Sequence, residues 1–284
     1  MTRLLVTGAG GMLGREVRAA AESRGHETIA LTRAELDITH EHAVNATIAA
    51  ERPAAIVNCA AWTDVDGAET DEPAALELNG RAPGLLAAAA TANDAQLIHV
   101  STDYVFDGTA TRAYLESDAT APQGAYGRTK LAGEQAVAAA GGEHAIARTA
   151  WLFGAGGRNF VATMLALAAG GREEVAVVVD QVGSPTFAGH LAGALIEIAE
   201  RRLGGILHTA GAGHCSWNEL ARATFAQTGI GATVTDVKSE QFPRPAPRPA
   251  WSVLESERAV TPRLPPWQEG LRAYLAEVTE GLPR

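Results

Sequence analysis

The sequence predicts an α/β protein with a doubly wound parallel sheet, and three observations carry that prediction. Short apolar runs at 4–6, 28–31, 55–58, 96–101 and 144–148 alternate with helical patterns. A glycine-rich turn joins the first run to the first helix. Polar motifs at 8–14, 58–63 and 101–103 fall just beyond the carboxyl ends of the runs, where ligands of such sheets bind. Strand and helix in alternation imply right-handed crossovers and parallel neighbours.

Each element follows from its residues. Leu4-Leu5-Val6 runs into Thr7-Gly8-Ala9-Gly10-Gly11-Met12-Leu13-Gly14, then into a helical pattern over 15–24. Glycines at 8, 11 and 14 let the chain turn sharply, let backbone approach a pyrophosphate and let the helix pack closely on the strand. The helix N-terminus then offers free N–H groups and a partial positive charge to phosphate. In this context the turn reads as a Rossmann-type nucleotide site, the competing account being a strand–turn–helix with glycines for packing alone. The second run ends at Thr32-Arg33 instead of at an acidic residue. An Arg there suits the 2′-phosphate of NADP, unless it is only a solvated surface side chain. Leu36-Asp37-Ile38 follows and can bracket an adenine, Asp37 accepting from the amino group and Ile38 packing on the ring.

Tyr126 and Lys130 head an Ala-rich helical stretch. Four residues apart, they share a helix face. A Tyr with a pKa of roughly 10 is a poor proton shuttle at neutral pH. A cation beside it favours the phenolate, so the pair suggests a Tyr tuned by Lys130 for acid–base work.

Beyond residue 150 the pattern changes. Residues 151–157 read as loop, 159–169 as helix, 174–179 as strand, 180–186 as a turn-rich connector and 188–202 as helix. Prolines at 243, 245, 247 and 249 lie between structured stretches, which predicts a loop capping the active site and not a linker. The expected organisation is an NAD(P)-binding Rossmann domain from 1–150 plus 183–210. A smaller C-terminal substrate-binding α/β cap would comprise 151–182 plus 211–284.

Composition narrows the function. At 284 residues and 46% hydrophobic, the chain has ample core for a globular protein. A net charge of −10 argues against nucleic acid or anionic membrane as partner. No apolar run is long enough to span a bilayer. Cys59 and Cys215 lie far apart with no metal-ligand spacing, and the first strand begins at once, so a reduced, cytoplasmic protein is expected.

Several strings together resemble the extended short-chain dehydrogenase/reductases. They are Gly8-x-x-Gly11-x-x-Gly14, the Ser101-Thr102 pair and Tyr126-x-x-x-Lys130. More local strings resemble the reductases of nucleotide-linked deoxysugar ketones within that family. These are Val57-Asn58-Cys59-Ala60-Ala61-Trp62-Thr63-Asp64-Val65-Asp66, Ser101-Thr102-Asp103-Tyr104-Val105-Phe106-Asp107-Gly108, Arg148-Thr149-Ala150-Trp151-Leu152-Phe153-Gly154, Asp180-Gln181-x-Gly183-x-Pro185-Thr186 and Arg248-Pro249-x-x-Ser252. The resemblance spans nearly the whole chain.

It implies reduction of the C4 ketone of a dTDP-linked 4-keto-6-deoxy sugar by NADPH, with NADH as a second reductant. Tyr126 would give the proton to the developing alkoxide, with Thr102 hydrogen-bonded to the same oxygen. Lys130 would hold the nicotinamide ribose and depress the Tyr126 pKa. Gly8, Gly11, Met12, Leu13 and Gly14 would meet the pyrophosphate. Arg33, Asp37 and Ile38 would meet the adenosine half, and Ala60, Ala61 and Thr63 would lie along the cofactor. Asp103, Val65 and Trp151 would face the sugar, Trp151 having a domain-interface role as its alternative. Arg248 or Arg244 would meet the diphosphate. Some members of the family dimerise through a metal, so Mg2+ at a homodimer interface is an expectation resting on Glu16 alone. Monomer and homodimer both stay open, and no catalytic metal is expected. Two other readings compete: a reductase of a different nucleotide-linked deoxysugar, and a non-catalytic relative like the regulatory β subunit of methionine adenosyltransferase. The second has no need of a Tyr–Lys pair.

Overall fold

In the computed structural model, which describes residues 2–279, the chain runs β1 (Arg3–Thr7), α1 (Met12–Ser23), β2 (Glu27–Leu31), α2 (Glu41–Glu51) and β3 (Ala55–Asn58). Then come α3 (Val65–Thr70), α4 (Glu72–Leu76), α5 (Ala82–Ala92), β4 (Gln96–Thr102), α6 (Ala125–Ala139) and β5 (His144–Thr149). The remainder is β6 (Leu152–Phe153), α7 (Phe160–Ala169), β7 (Glu174–Val178), β8 (Val182–Gly183), β9 (Thr186–Phe187), α8 (Ala188–Glu200), β10 (Gly205–His208), β11 (Cys215–Ser216), α9 (Trp217–Thr228), β12 (Thr233–Val237) and α10 (Trp267–Thr279).

All five predicted strands of the first 150 residues form. With β10 they make one sheet in the order β10-β5-β4-β3-β1-β2, every neighbour parallel. The order reverses between β1 and β3, which opens a crevice at the carboxyl ends of those two strands. Residues alternate between the faces. Leu4, Val6, Val57 and Ile98 pack against Leu13 and Val17 of α1 and Leu191 and Leu195 of α8. Leu5, Ile56, Leu97 and Ile146 pack against Val44 and Ile48 of α2, Leu86 of α5 and Val137 of α6. Strands buried on both faces explain the continuous apolar runs in the sequence.

The second region is built differently. Its strands pair only in twos: β6 with β9, β7 with β12 and β8 with β11. The expectation of a loop over 151–157 is corrected here, since β6 lies inside it. The 180–186 connector likewise contains β8 and the first residue of β9. Strands of two residues leave no periodicity in a sequence. Phe153, Val161, Phe187, Leu220, Leu271 and Tyr274 form the core beneath α7, α9 and α10. Residues 242–249 form neither helix nor strand and lie beside Tyr126.

Candidate active site

The glycine turn is shaped for close approach. Gly8 has φ +64°, and a Cβ there would sit 2.7 Å from the Ala60 nitrogen. A Cβ on Gly14 would overlap the Gly8 carbonyl. Gly11, whose N–H donates to the Gly8 carbonyl at 2.9 Å, is the N-cap of α1, and no side chain caps that helix. Gly10 and Gly11 are exposed. The N–H groups of the first turn, including those of Met12 and Leu13, are thus available to a phosphate, so the turn fits a dinucleotide.

Arg33 stands just past β2 with its side chain 83% exposed, paired loosely with Asp37 at 3.6 Å. Asp37 is already engaged. Its Oδ1 accepts from the Thr39 N–H (3.0 Å) and hydroxyl (2.7 Å), and these bonds hold its carboxyl below the usual range. Ile38 is only 2% exposed and belongs to the core of the α2 face. The expectation that its side chain packs on adenine is therefore corrected: its alkyl surface is consumed by Leu36, Val44 and Ile48.

The segment from Ala60 to Thr63 follows β3 and is pinned from both sides. The Ala60 N–H donates to Asn58 Oδ1 at 3.2 Å. Asn79 brackets Trp62, accepting from its N–H at 2.8 Å and donating to its carbonyl at 3.0 Å. Asn79 lies in a π-helical turn, Glu77–Arg81, between α4 and α5. Such turns commonly mark functional sites, because they re-aim side chains within a helix. Ala60 and Ala61 are half-buried and Thr63 is exposed, and Ala60 lies against Gly8 of the glycine turn.

Thr102, Asp103 and Tyr126 come together at the end of β4. The Thr102 hydroxyl donates to Asp103 Oδ1 at 2.9 Å, and the same hydroxyl draws the Tyr126 phenol down against its burial. Burial pushes the Asp103 carboxyl up to about 6, against the pull of the Ser252 and Thr102 hydroxyls. Tyr126, stacked edge-on to Tyr104 at 5.7 Å, is pushed up to about 12 by burial and then by Asp103, with Thr102 pulling the other way. This corrects the expected depression by Lys130. The Lys130 nitrogen donates to the Val100 carbonyl at 2.7 Å and lies 3.3 Å from His99 Nε2. Lys130 is 2% exposed, and burial pulls it down to about 8.

A cavity of about 210 Å³ opens beside Tyr126. Val65, Tyr104, Phe106, Gln123, Pro247 and Arg248 are among its walls. Arg248 is half-buried and tied to Asp66 of α3 at 3.0 Å. The Ala246 N–H donates to the same carboxylate at 3.1 Å, so the proline-rich strap is latched across α3. Arg244 is exposed and lies outside the cavity wall. Trp151 has φ +46°, a strained value for a residue with a Cβ. Its ring stacks on Trp217 at 3.5 Å and 2°, and Gly183 packs so close to it that a Cβ there would enter the ring. Trp151 thus sits at the junction of the two regions. Glu16 is half-buried, and the Glu277 carboxyl is raised by burial and then by Glu16. Among the described residues no group of three or more His, Cys, Asp or Glu could hold a metal ion.

Sequence reasoning missed the polar layer under the site. In register, Thr7, Asn58 and His99 form a row directly above the apolar row Leu5, Ile56 and Leu97. One step further, Ser101 pairs with Arg148 of β5, and both reach Glu134 of α6. The buried Arg148–Glu134 pair is bidentate, at 2.9 and 2.7 Å. The available signal was a change from apolar to polar at the same-face position of several strand ends.

Comparison with known proteins places these features in context. Residues 1–280 match the family model described as the RmlD substrate binding domain. The dTDP-4-dehydrorhamnose reductase of Mycolicibacterium smegmatis is 47% identical, covering 97% of this chain and 86% of its own. A probable dTDP-4,6-dihydroxy-2-methyloxan-3-one 4-ketoreductase of Streptomyces antibioticus is 45% identical, covering 97% and 95%. The crystal structure of dTDP-4-dehydrorhamnose reductase from Bacillus anthracis in complex with NADP superposes with a TM-score of 0.94 at 35% identity, covering 97% and 99%.

Proposed function

The chain belongs to the family of the RmlD substrate binding domain, and on that premise we propose that it reduces the C4 ketone of dTDP-4-dehydro-β-L-rhamnose to dTDP-L-rhamnose, with NADPH as reductant and NADH as the weaker one. The observation that carries this reading is the meeting of Thr102 and Tyr126 at the end of β4, beside a cavity of about 210 Å³. Gly8, Gly11, Met12, Leu13 and Gly14 receive the pyrophosphate at the uncapped start of α1. Arg33 takes the 2′-phosphate, with Asp37 and the Ile38 backbone beside the adenosine. Ala60, Ala61 and Thr63 flank the rest of the cofactor.

When bound, the reduced nicotinamide supplies the hydride to C4. Tyr126 gives the proton to the developing alkoxide. Held at about 12, its hydroxyl stays protonated at neutral pH and so is ready as a donor. Thr102 donates to the same oxygen, and Lys130 holds the nicotinamide ribose. Val65, Asp103 and Trp151 shape the sugar site. Arg248 meets the diphosphate by exchanging its bond to Asp66. In this reading 1–150 plus 183–210 binds cofactor and 151–182 plus 211–284 binds substrate, in a cytoplasmic protein.

The Streptomyces relative favours one second reading, reduction of another dTDP-linked keto sugar. The test mixes protein and NADPH with dTDP-4-keto-6-deoxyglucose, with and without the 3,5-epimerase that converts it to the L-lyxo form. NADPH oxidation that requires the epimerase, with dTDP-L-rhamnose formed, is the expected result. Oxidation without the epimerase assigns the second reading. No oxidation by protein that binds NADPH returns the non-catalytic account.

A further inference from the structure

Thr7, Asn58, His99 and Lys130 form one buried chain running from β1 across β3 and β4 to α6, and its hydrogen bonds can be assigned in order. The Ala60 N–H can only donate, so the Asn58 atom it meets at 3.2 Å is fixed as the amide oxygen. The same oxygen accepts from the Thr7 hydroxyl at 2.6 Å. The amide nitrogen of Asn58 must therefore face His99 Nδ1, 3.0 Å away, and Nδ1 must accept. His99 is 0% exposed, and burial holds it well below the usual imidazole range, so it is neutral. With Nδ1 accepting, its one proton sits on Nε2. That N–H points at Lys130 Nζ, 3.3 Å away.

An ammonium has donors only. Opposite His99 Nε2–H it would place donor against donor in a buried site, where an unmade hydrogen bond costs most. An amine can donate to the Val100 carbonyl at 2.7 Å and accept from His99 with its lone pair. Every member of the chain is satisfied only in that form. The other charged and titratable groups around Lys130 do not reverse this. Glu134, one turn along α6, favours the ammonium but is occupied by Arg148 and Ser101. Cys59 faces Lys130 from the end of β3, and burial keeps its thiol protonated, up at about 12. Tyr126, one turn back on α6, stays protonated too.

We infer that His99 is a positioning residue which, with its tautomer fixed by Asn58 and Thr7, weakens the hold of Lys130 on its proton so that this lysine trades a proton near neutral pH instead of standing as a fixed ammonium. The chain uses lysine at two positions only, Lys130 and Lys238, among 23 cationic side chains, and Lys238 is exposed.

That scarcity makes the test direct. Protein labelled with 13C at the lysine ε position gives two resonances, and their titration is followed in cofactor-free protein without substrate. Failure of the substrate assignment leaves this readout untouched. Lys130 is expected to titrate below Lys238. In His99→Gln, whose amide can turn its oxygen to the ammonium without adding charge, Lys130 should hold its proton about tenfold more tightly. Lys238 should not move. In wild-type protein, 15N imidazole spectra should show His99 as the Nε2–H tautomer with no titration between pH 5 and pH 9 as an order-of-magnitude window about the reference histidine. An Nδ1–H tautomer overturns the inference whether or not the variant folds. So does a Lys130 titration in His99→Gln that stays at or below the wild-type position, even if activity falls, because a packing role alone would produce that pattern.

Discussion

The large parallel sheet and the region around α7, α9 and α10 bury comparable kinds of surface by opposite means. The sheet positions polar groups through register, so Thr7, Asn58 and His99 stand in a row because their strands are in step. Moving one would require moving a strand. The second region positions its groups through rings: Trp151 on Trp217 at 3.5 Å, and Phe160 against Trp217 at 4.6 Å. Its paired strands are short, and two of the three pairs are only two residues long. The contrast separates a half that places its polar groups by backbone register from a half that places its groups by side-chain packing.

The largest effect should come from the sheet side. Tyr126→Phe is expected to lower turnover about 10²–10⁴-fold while NADPH affinity and melting temperature stay near wild type. Steady-state kinetics beside a fluorescence titration of NADPH checks this, and near-normal turnover would remove Tyr126 from the chemistry. Next comes the support beneath it. Glu134→Ala strands Arg148, which is 2% exposed, and should cost about 3–5 kcal/mol in chemical denaturation. A loss under about 1 kcal/mol, the size typical of exposed pairs, would mean that the Arg148 charge finds solvent.

Trp217→Ala tests the other half. Removing the ring that covers Trp151 should cost about 3 kcal/mol, and hydrogen exchange should quicken in α7 and α9 while β1, β3 and β4 keep their protection. NADPH binding should persist. Loss of protection across the whole sheet would show the two regions to be one cooperative unit.

How far the sequence could be read follows the same division. The five strands, the glycine turn and the Tyr126–Lys130 helix were legible because each rests on local spacing. So was the proline-rich strap, since Pro247 and Arg248 do wall the cavity beside Tyr126. What could not be read depends on distant partners. The β7–β12 pair joins residues 174–178 to 233–237, and β6 depends on β9. Ile38 looked available to a ligand because burial by α2 leaves no mark at that position. The influence of Lys130 on Tyr126 failed for a related reason. Spacing puts the two on one helix face, but the Val100 carbonyl and His99 decide where the Lys130 nitrogen sits.

Asp103 gives a smaller effect with a definite sign. Its carboxyl is raised in the folded protein to about 6, above the reference for an unfolded Asp of about 3.9. A raised folded value means that the contribution to stability is full below about pH 4 and is lost as pH climbs through 6. Asp103→Asn, uncharged at every pH, should therefore match wild type near pH 4. At pH 7–8 it should be more stable by about 2 kcal/mol. Melting curves across that range check the sign. A variant that is destabilised more at pH 8 than at pH 4 would mean that the ionised carboxylate has a cationic or hydrogen-bonding partner stronger than the Ser252 and Thr102 hydroxyls.

The smallest effect belongs to Arg33, because its side chain is 83% exposed and its pairing with Asp37, at 3.6 Å, is loose. An exposed guanidinium contributes little until a doubly charged phosphate meets it, so Arg33→Ala should leave stability unchanged. It should weaken NADPH about tenfold, one charge-assisted contact's worth, and leave NADH where it was. The effect on NADPH should shrink as salt is raised, since the contact lies in water. Equal weakening of both cofactors would assign Arg33 to the shape of the β2 turn. In that case Arg33 would give no preference, and the N–H groups at the start of α1, facing a pyrophosphate common to both cofactors, would give none either.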